Sequence, residues 1–134
     1  MIKGLQFIEK AKEFYSFLDS EFKMQVVNET IRESIFYDLQ YGNEGKIISI
    51  SYENLEDYFQ VIVFILLNGQ LPDYDDKTRT LHLNILNSNI LPIINIEEIE
   101  SNNMYFINFK ATSEVEKKLL KSAKELRLCL KHMN

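Results

Sequence analysis

The chain has 134 residues, of which 46% are hydrophobic and 12% aromatic, with only four glycines and two prolines. This length and composition predict one ordered domain over residues 1–134 and exclude a disordered chain. The formal net charge of −5, from 20 acidic and 15 basic residues, repels nucleic acid backbones and anionic lipid surfaces at long range. We therefore expect neither nucleic acid nor a membrane among its partners.

Cys129 is the only cysteine, so no disulfide can form within the chain, which is typical of a protein from a reducing compartment. Charged residues interrupt every apolar run near the N-terminus, so no signal peptide is predicted. The longest apolar run, 61–67, is far shorter than the ~20 residues that a membrane helix requires. These features predict a cytoplasmic protein.

Apolar residues at spacings of three and four predict an amphipathic helix over residues 3–19. From Phe22 the apolar spacing falls to two, which indicates two strands that end near Tyr41. Residues 42–45 read Gly-Asn-Glu-Gly, and the glycines tolerate the positive φ angles of tight hairpins. A third strand is therefore expected over 46–52, with the apolar and polar alternation of a sheet that has one wet face.

Residues 58–67 are almost continuously apolar and rich in β-branched and aromatic side chains, which favours a fourth, well-covered strand. A buried helix is the alternative for this run, but turn signals on both sides favour the strand. A polar loop follows over 73–78. Residues 80–87 fit a strand and a short helix equally well, and so does the segment 93–109, in which 104–109 has strand-like spacing.

The last element is predicted by a capping box at Ser113 and Glu116. In this motif the Ser113 side chain accepts from the Glu116 amide, and the Glu116 side chain returns to the Ser113 amide. Apolar residues then recur at helical spacing up to Met133. The basic residues between them are expected to form the solvated face of the helix, and they are Lys117, Lys118, Lys121, Lys124, Arg127 and Lys131.

Together these elements predict an α+β fold. An N-terminal helix precedes a four-stranded antiparallel β-meander, and C-terminal helices pack on one sheet face. Helices at both ends of the chain with strands between them argue against an alternating α/β fold.

The chain offers few groups for catalysis or metal binding. His82, His132 and Cys129 are its only soft or borderline ligands, and a site needs several donors that converge. Cys129 lies on the apolar stripe of the last helix, so we interpret it as a buried thiol. His82, between two leucines, is interpreted as a satisfied or surface histidine. No phosphate-binding loop, nucleophile elbow or zinc-binding helix motif occurs, so we expect no enzyme, cofactor or metal.

Two acidic clusters remain, one on each side of the fourth predicted strand. They lack the spaced donors of a calcium loop, so one interpretation is that they are solvated loop residues. The other is a protein-binding face, because tyrosine is enriched in interface hot spots and carboxylates steer a basic partner. The residues of that candidate face are Glu53, Glu56, Asp57, Tyr58, Asp73, Tyr74, Asp75 and Asp76.

Residues 49–59, Ser-Ile-Ser-Tyr-Glu-Asn-Leu-Glu-Asp-Tyr-Phe, are followed by the apolar strand and by Gly-Gln-Leu-Pro-Asp-Tyr-Asp-Asp at 69–76. In this organisation, over residues 20–90, the chain resembles the immunity proteins of contact-dependent inhibition and related polymorphic-toxin systems of bacteria. The resemblance implies a cytoplasmic, non-catalytic protein that binds one toxin domain and blocks its active site. Many such toxins are nucleases with basic clefts, which an acidic, tyrosine-bearing surface can occupy.

Three functional hypotheses follow. The first is an immunity-type inhibitor that binds a cognate toxin through the acidic, tyrosine-bearing face. The second is a different non-catalytic binding module or subunit, whose partner docks on an uncovered sheet face or edge. The third is an enzyme that uses an aspartate or glutamate with His82.

Overall fold

The computed structural model describes residues 1–133, and its five strands follow one another across a single antiparallel sheet in chain order. The strands are β1 (Gln25–Arg32), β2 (Phe36–Gly42), β3 (Lys46–Glu53), β4 (Tyr58–Ile65) and β5 (Thr80–His82). The helices are α1 (Gly4–Phe14), α2 (Phe17–Ser20), α3 (Leu83–Ile90), α4 (Ile96–Tyr105) and α5 (Glu114–Lys131), with a 3-10 turn over Leu91–Ile93. The predicted α+β class is confirmed, and the sheet has one short strand more than expected.

The predicted helix over 3–19 is present but divided into α1 and α2. The chain leaves helical geometry at Tyr15, and this break turns Tyr15 and Phe17, as well as Phe14, into the core with no exposed surface. Leu5 belongs to the apolar stripe of the sequence but is 70% exposed. The periodicity therefore located the helix but not its end.

The first strand begins at Gln25, later than the apolar spacing from Phe22 indicated. β1 is mostly exposed and pairs only with β2, so little burial imposes an alternating pattern on its sequence. Met24, which precedes it, is buried against the core. A register shift between Val26 and Asn28 further interrupts the alternation.

The hairpin between β2 and β3 is confirmed, but the predicted role of its glycines is wrong. Neither Gly42 nor Gly45 has a positive φ angle. The Asn43 side-chain oxygen instead accepts hydrogen bonds from the amides of Gly45 and Lys46, both at 2.9 Å. Gly42 is closely packed, since a Cβ there would lie 2.6 Å from the end of the Ile47 side chain, which would have to shift.

Both ambiguous segments now have defined structures. Within 80–87 the chain is strand to His82 and helix from Leu83, so each interpretation was right for one part. In 93–109 the helix α4 begins after Asn95, whose side chain accepts from the Glu98 amide at 2.9 Å. The strand alternative for 104–109 is wrong: Phe106 turns inward after α4 and contacts the rings of other aromatic residues.

The helices cover one face of the sheet, as predicted. Helix α5 closes this layer, and the buried hydroxyls of Tyr15 and Ser122 hydrogen-bond across the interface between α1 and α5. Burying one large apolar side chain contributes roughly 1.5–3 kcal/mol, so the packing of the helices on the sheet is a large favourable contribution to stability. The sheet residues that face it are Tyr37, Leu39 and Tyr41 from β2, Ile48, Ile50 and Tyr52 from β3, and Val61 and Val63 from β4.

Of the two hydrogen bonds predicted for the capping box at the start of α5, one is confirmed. The Ser113 hydroxyl accepts from the Glu116 amide at 3.2 Å. The Glu116 carboxylate reaches one residue further back than expected and accepts from the amide and hydroxyl of Thr112. None of the helices described in residues 1–133 is long and apolar enough to cross a membrane.

Candidate functional site

A groove of about 390 Å³ lies where β5 ends. β5 pairs only with Ile62, Val63 and Phe64, so residues 58–61 of β4 have no strand beside them on that edge. The chain turns away because Leu83 and Leu86 of α3 are buried in the core. The groove is thus bounded by the free edge of β4 and by the helices α3 and α5. Its lining includes Tyr58, Gln60, His82, Asn84, Lys118 and Lys121.

The free edge of β4 presents backbone groups to this groove. The Ile65 amide donates to the Arg79 carbonyl at 2.8 Å, and N–H and C=O groups of an antiparallel strand point alternately to its two neighbours. Phe59 and Val61, at even spacing from Ile65, therefore direct their backbone groups into the groove. Within residues 1–133, no backbone or side-chain hydrogen bond engages these groups on that side.

One candidate tyrosine lines the groove, and the other contacts a residue of its lining. Tyr58 lines it, is 56% exposed and donates its hydroxyl to the Gln60 side-chain oxygen at 2.7 Å. Tyr74 is 62% exposed and packs its ring edge-on against His82, another lining residue, at 5.7 Å between ring centroids. Two exposed aromatic rings, each with one side-chain contact, therefore lie in the groove lining and against it.

In the first acidic cluster, Glu53, Glu56 and Asp57, two of the three carboxylates form hydrogen bonds that stabilise the turn between β3 and β4. Asp57 has a φ of 51°, and its carboxylate accepts from the Tyr52 hydroxyl at 2.5 Å and from Lys118 at 3.0 Å. Those two hydrogen bonds lower the pKa of Asp57, while burial and the same carboxylate raise the pKa of Tyr52 to about 12. Glu53 accepts from the amides of residues 55 and 56, whereas Glu56 is exposed.

The second acidic cluster, Asp73, Asp75 and Asp76, also contains one acid with internal side-chain partners and two without. Asp76 accepts from the amide and hydroxyl of Thr78 and from the Arg79 guanidinium, and these hydrogen bonds lower the pKa of Asp76. Asp73 contributes its carbonyl oxygen to the Thr80 hydroxyl. The carboxylates of Asp73 and Asp75 are exposed and have no ion pair or hydrogen bond within the described chain. Glu56, Asp73 and Asp75 are therefore the candidate acids available to a partner.

The groups considered for catalysis do not converge. Across residues 1–133, no group of three or more His, Cys, Asp or Glu side chains is placed to hold a metal ion. Cys129 is buried, as predicted, and its thiol lies 3.4 Å from the Asn87 side-chain oxygen. Burial raises the pKa of this thiol to about 12, so it stays protonated near neutral pH. His132 instead lies 2.8 Å from the Glu98 carboxylate.

Two basic residues of the groove lining were not predicted. The sequence pattern placed Lys118 and Lys121 on a solvated helix face, whereas both line the groove. Lys121 also borders a second groove of about 580 Å³, whose lining includes Phe109, Lys110, Lys117, Leu120 and Lys124. The spacing of Lys117, Lys121 and Lys124 indicates one helix face, but only the tertiary structure shows that a cavity lies beside it.

Comparison of the chain with protein-family models, with curated proteins and with solved structures finds no match in any of the three.

Proposed function

We propose that this chain is a non-catalytic, cytoplasmic inhibitor of the immunity type, which binds a cognate bacterial toxin domain. The observation that carries the proposal is that Tyr58 lines the groove and Tyr74 packs against its lining residue His82, with both tyrosines more than half exposed. Tyrosine buries a large apolar area and keeps a hydroxyl for hydrogen bonding, and its ordered rings lose little entropy on binding.

The unpaired carboxylates supply the charge for this role. The carboxylates of Glu56, Asp73 and Asp75 have no internal partner among the described residues, and they lie in the two loops that flank β4, close in sequence to Tyr58 and Tyr74. Such charges accelerate association with a basic surface and disfavour acidic partners. A nuclease cleft that normally receives phosphates fits this description. The choice of a toxin as the partner rests on the resemblance of residues 49–59 and 69–76 to immunity proteins.

The other candidate acids, Asp57 and Asp76, have internal ion pairs, and their role therefore differs from that of the unpaired acids. Lys118 and Arg79 offset the charges of Asp57 and Asp76, so these two acids shape the loops and contribute less to steering. The test must therefore remove the charge of the unpaired acids without changing the acids that hold the loops in place.

The test measures binding between the purified chain and the toxin domain encoded beside its gene. We expect Tyr58→Ala and Tyr74→Ala each to weaken binding by about tenfold or more, as for aromatic hot spots. The double variant Asp73→Asn with Asp75→Asn should slow association at low salt and change dissociation little. The matched control is Glu97→Gln with Glu100→Gln, which removes two exposed acids from α4 and should leave association unchanged.

Two results would contradict the proposal. One is the absence of binding to any neighbouring toxin domain. The other is binding that survives the loss of both tyrosines and both aspartates, which would move the interface elsewhere.

The second candidate function is a non-catalytic binding module or subunit unrelated to toxins. The free edge of β4 favours it, because unpaired strand edges are docking sites for other chains. Binding of a partner at this edge, in a chain whose gene has no toxin gene beside it, would favour this function over the first.

A further inference from the structure

We infer that the sheet face opposite the helix layer holds a binding site for an arginine side chain of a protein partner, formed by the carboxylate of Asp38 and the hydroxyl of Ser51. The inference deepens the proposed function and rests on it in one respect, the basic character of the partner. Neither residue belongs to the acidic, tyrosine-bearing face, so the site adds a new contact to that interface.

Asp38 and Ser51 lie side by side in the middle of the sheet. They are partners in the register of β2 and β3, so their side chains point to the same face. Leu39 and Ile50, the next residues along, are buried under the helices, and side chains alternate along a strand. Asp38 and Ser51 therefore point to the opposite face. Both are nevertheless more than nine-tenths buried, with exposures of 7% and 8%.

Within residues 1–133, neither side chain has all the hydrogen bonds that it can form. The Asp38 carboxylate accepts from the Ser49 hydroxyl at 2.6 Å and from the Gln40 side-chain amide at 2.7 Å. Both donors are neutral, and Asp38 forms no ion pair with the described residues. The Ser51 hydroxyl forms no hydrogen bond with them. A carboxylate offers about four lone-pair sites, so half of those on Asp38 stay open to a further donor.

The arginine of the chain that points to this face does not supply that donor. Arg32 is paired with Phe36, one residue pair further along the same face than Asp38. Its guanidinium lies over the Phe36 ring, 5.4 Å from the ring centroid. A buried carboxylate is costly unless a cation is paired with it. The Asp38 carboxylate is therefore available to a cation from another molecule.

A guanidinium group fits the open positions of this pair. It is a cation that only donates hydrogen bonds, and its planar fork can reach both oxygens of one carboxylate. Directly paired side chains of two strands lie about 5 Å apart at Cβ, so the Ser51 hydroxyl can accept from the same fork. Guanidinium is also less strongly hydrated than the ammonium of lysine, which favours arginine in a site that is mostly buried.

The position of the site agrees with the surface proposed for the partner. Ser51 is paired with Gln60 on β4, and the Gln60 side chain accepts from the Tyr58 hydroxyl. Strands lie about 5 Å apart and rise about 3.4 Å per residue, so Tyr58 is roughly 10–15 Å from Asp38. A protein interface of ordinary size, about 800 Å² on each partner, covers that distance. A basic partner that contacts Tyr58 can therefore also insert an arginine beside Asp38.

The test titrates the full-length, isotope-labelled protein with acetylated, amidated arginine and follows the backbone amide resonances. The amides of Asp38 and Ser51 should shift and reach saturation. The matched probes are the same derivatives of citrulline, which keeps the shape without the charge, and of lysine, which keeps the charge without the fork. Both should bind about tenfold more weakly or less.

Two variants assign the shifts to this pair. Asp38→Asn removes the charge and should weaken arginine binding by about tenfold or more. Ser51→Ala should weaken it by about threefold and leave the free energy of unfolding unchanged, because the hydroxyl has no internal hydrogen bond to lose. Ser51→Ala thus tests the site even if Asp38→Asn folds poorly. The matched controls Glu44→Gln and Ser34→Ala, exposed in the turns at the two ends of β2, should bind arginine as the wild type does.

Equal shifts with the lysine and arginine derivatives would overturn the inference, and so would wild-type arginine binding in Ser51→Ala and Asp38→Asn. Toxin binding decides the proposed function separately. Arginine shifts at Asp38 without toxin binding would refute that function and keep the site. Toxin binding that is lost with Tyr58 and Tyr74 but unaffected by Asp38→Asn would keep the function and overturn the inference.

Discussion

Helix α5 has a buried charged residue near each end, and the two differ in whether a neighbour in the chain helps to hold them: Glu116 has Thr112 as well as the distant Gln6, whereas Arg127 has only distant partners. Glu116, in the first turn, is 1% exposed and accepts two hydrogen bonds from Thr112. Arg127, near the last turn, is 6% exposed and is held by Glu21 and Asn102, which are 106 and 25 residues away. One anchor is mainly local, and the other joins three helical segments of the chain.

The difference teaches where a sequence pattern is informative. The local anchor belongs to a motif of spacing three, so the residues alone located the start of the helix and the bond from the Glu116 amide to Ser113. They assigned the Glu116 carboxylate to the Ser113 amide, whereas it accepts from Thr112 and Gln6. The distant anchor resembles any exposed arginine among lysines until the helices are packed, and the sequence analysis placed it on the solvated face. In the structure its guanidinium donates to both carboxylate oxygens of Glu21 and lies 4.0 Å from the centre of the Tyr105 ring.

The largest expected effect comes from breaking the distant anchor. Arg127→Met should lower the free energy of unfolding by about 3 kcal/mol, because it leaves the buried Asn102 side chain and the Glu21 carboxylate without their donor. Urea denaturation measures this loss. Arg127→Lys should lie in between, since an ammonium cannot reproduce the planar guanidinium contacts. Wild-type stability in Arg127→Met would show that this residue is dispensable.

The local anchor should give a smaller effect with a defined pH dependence. Burial opposes ionisation of Glu116, but hydrogen bonds from Thr112 and Gln6 outweigh it and lower the pKa of Glu116 below its ordinary value of 4.5. A lowered folded-state pKa stabilises the protein above about pH 4.5, and this contribution disappears as the pH falls through the folded value. Glu116→Gln should therefore cost about 1–2 kcal/mol at pH 7 and less at pH 3.

Unfolding curves between pH 7 and pH 3 check this prediction. Glu21, whose pKa is lowered by its hydrogen bond to Arg127, also contributes to the acid sensitivity of the wild type. Its variant Glu21→Gln separates the two contributions. Parallel pH profiles for the wild type and Glu116→Gln would contradict the assignment.

The smallest effect is expected at the helix cap itself. Ser113→Ala should lower the free energy of unfolding by about 1 kcal/mol, because the Glu116 amide loses its acceptor. Ser113→Asp keeps an acceptor at this position and should retain most of the stability. If Ser113→Ala lowered the free energy of unfolding as much as Arg127→Met, the two ends of α5 would contribute equally to stability.

The same contrast between local and distant signals explains what the sequence predicted of the fold. The strands 46–52 and 58–65 have one or both faces packed, so their burial is visible as alternation or as an apolar run. β1 is an exposed edge strand, and its start was misplaced for lack of that pattern. The segment after Tyr105 is apolar because Phe106 is buried and Phe109 packs partly buried against the core from a turn. Only the packed structure distinguishes this turn from a strand.

In the candidate site, too, local patterns were predicted from the sequence and contacts between distant parts of the chain were not. Tyr58 and Tyr74 could be named from composition, since exposed tyrosines beside acidic loops suggest an interface. Their common position at one groove depends on His82 and on the end of β5, which no local pattern predicted. Lys121 belongs to the site only because α5 packs beside the free edge of β4.

The order of the strands has a consequence for how the protein is made. Each strand pairs with its neighbour in the chain, so the sheet can assemble in step with synthesis from β1 to β5. The contacts of Gln6, Tyr15 and Glu21 with α5 bridge more than 100 residues and wait for the last helix to emerge from the ribosome. Until then the apolar face of the meander is open to chaperones and to other nascent chains.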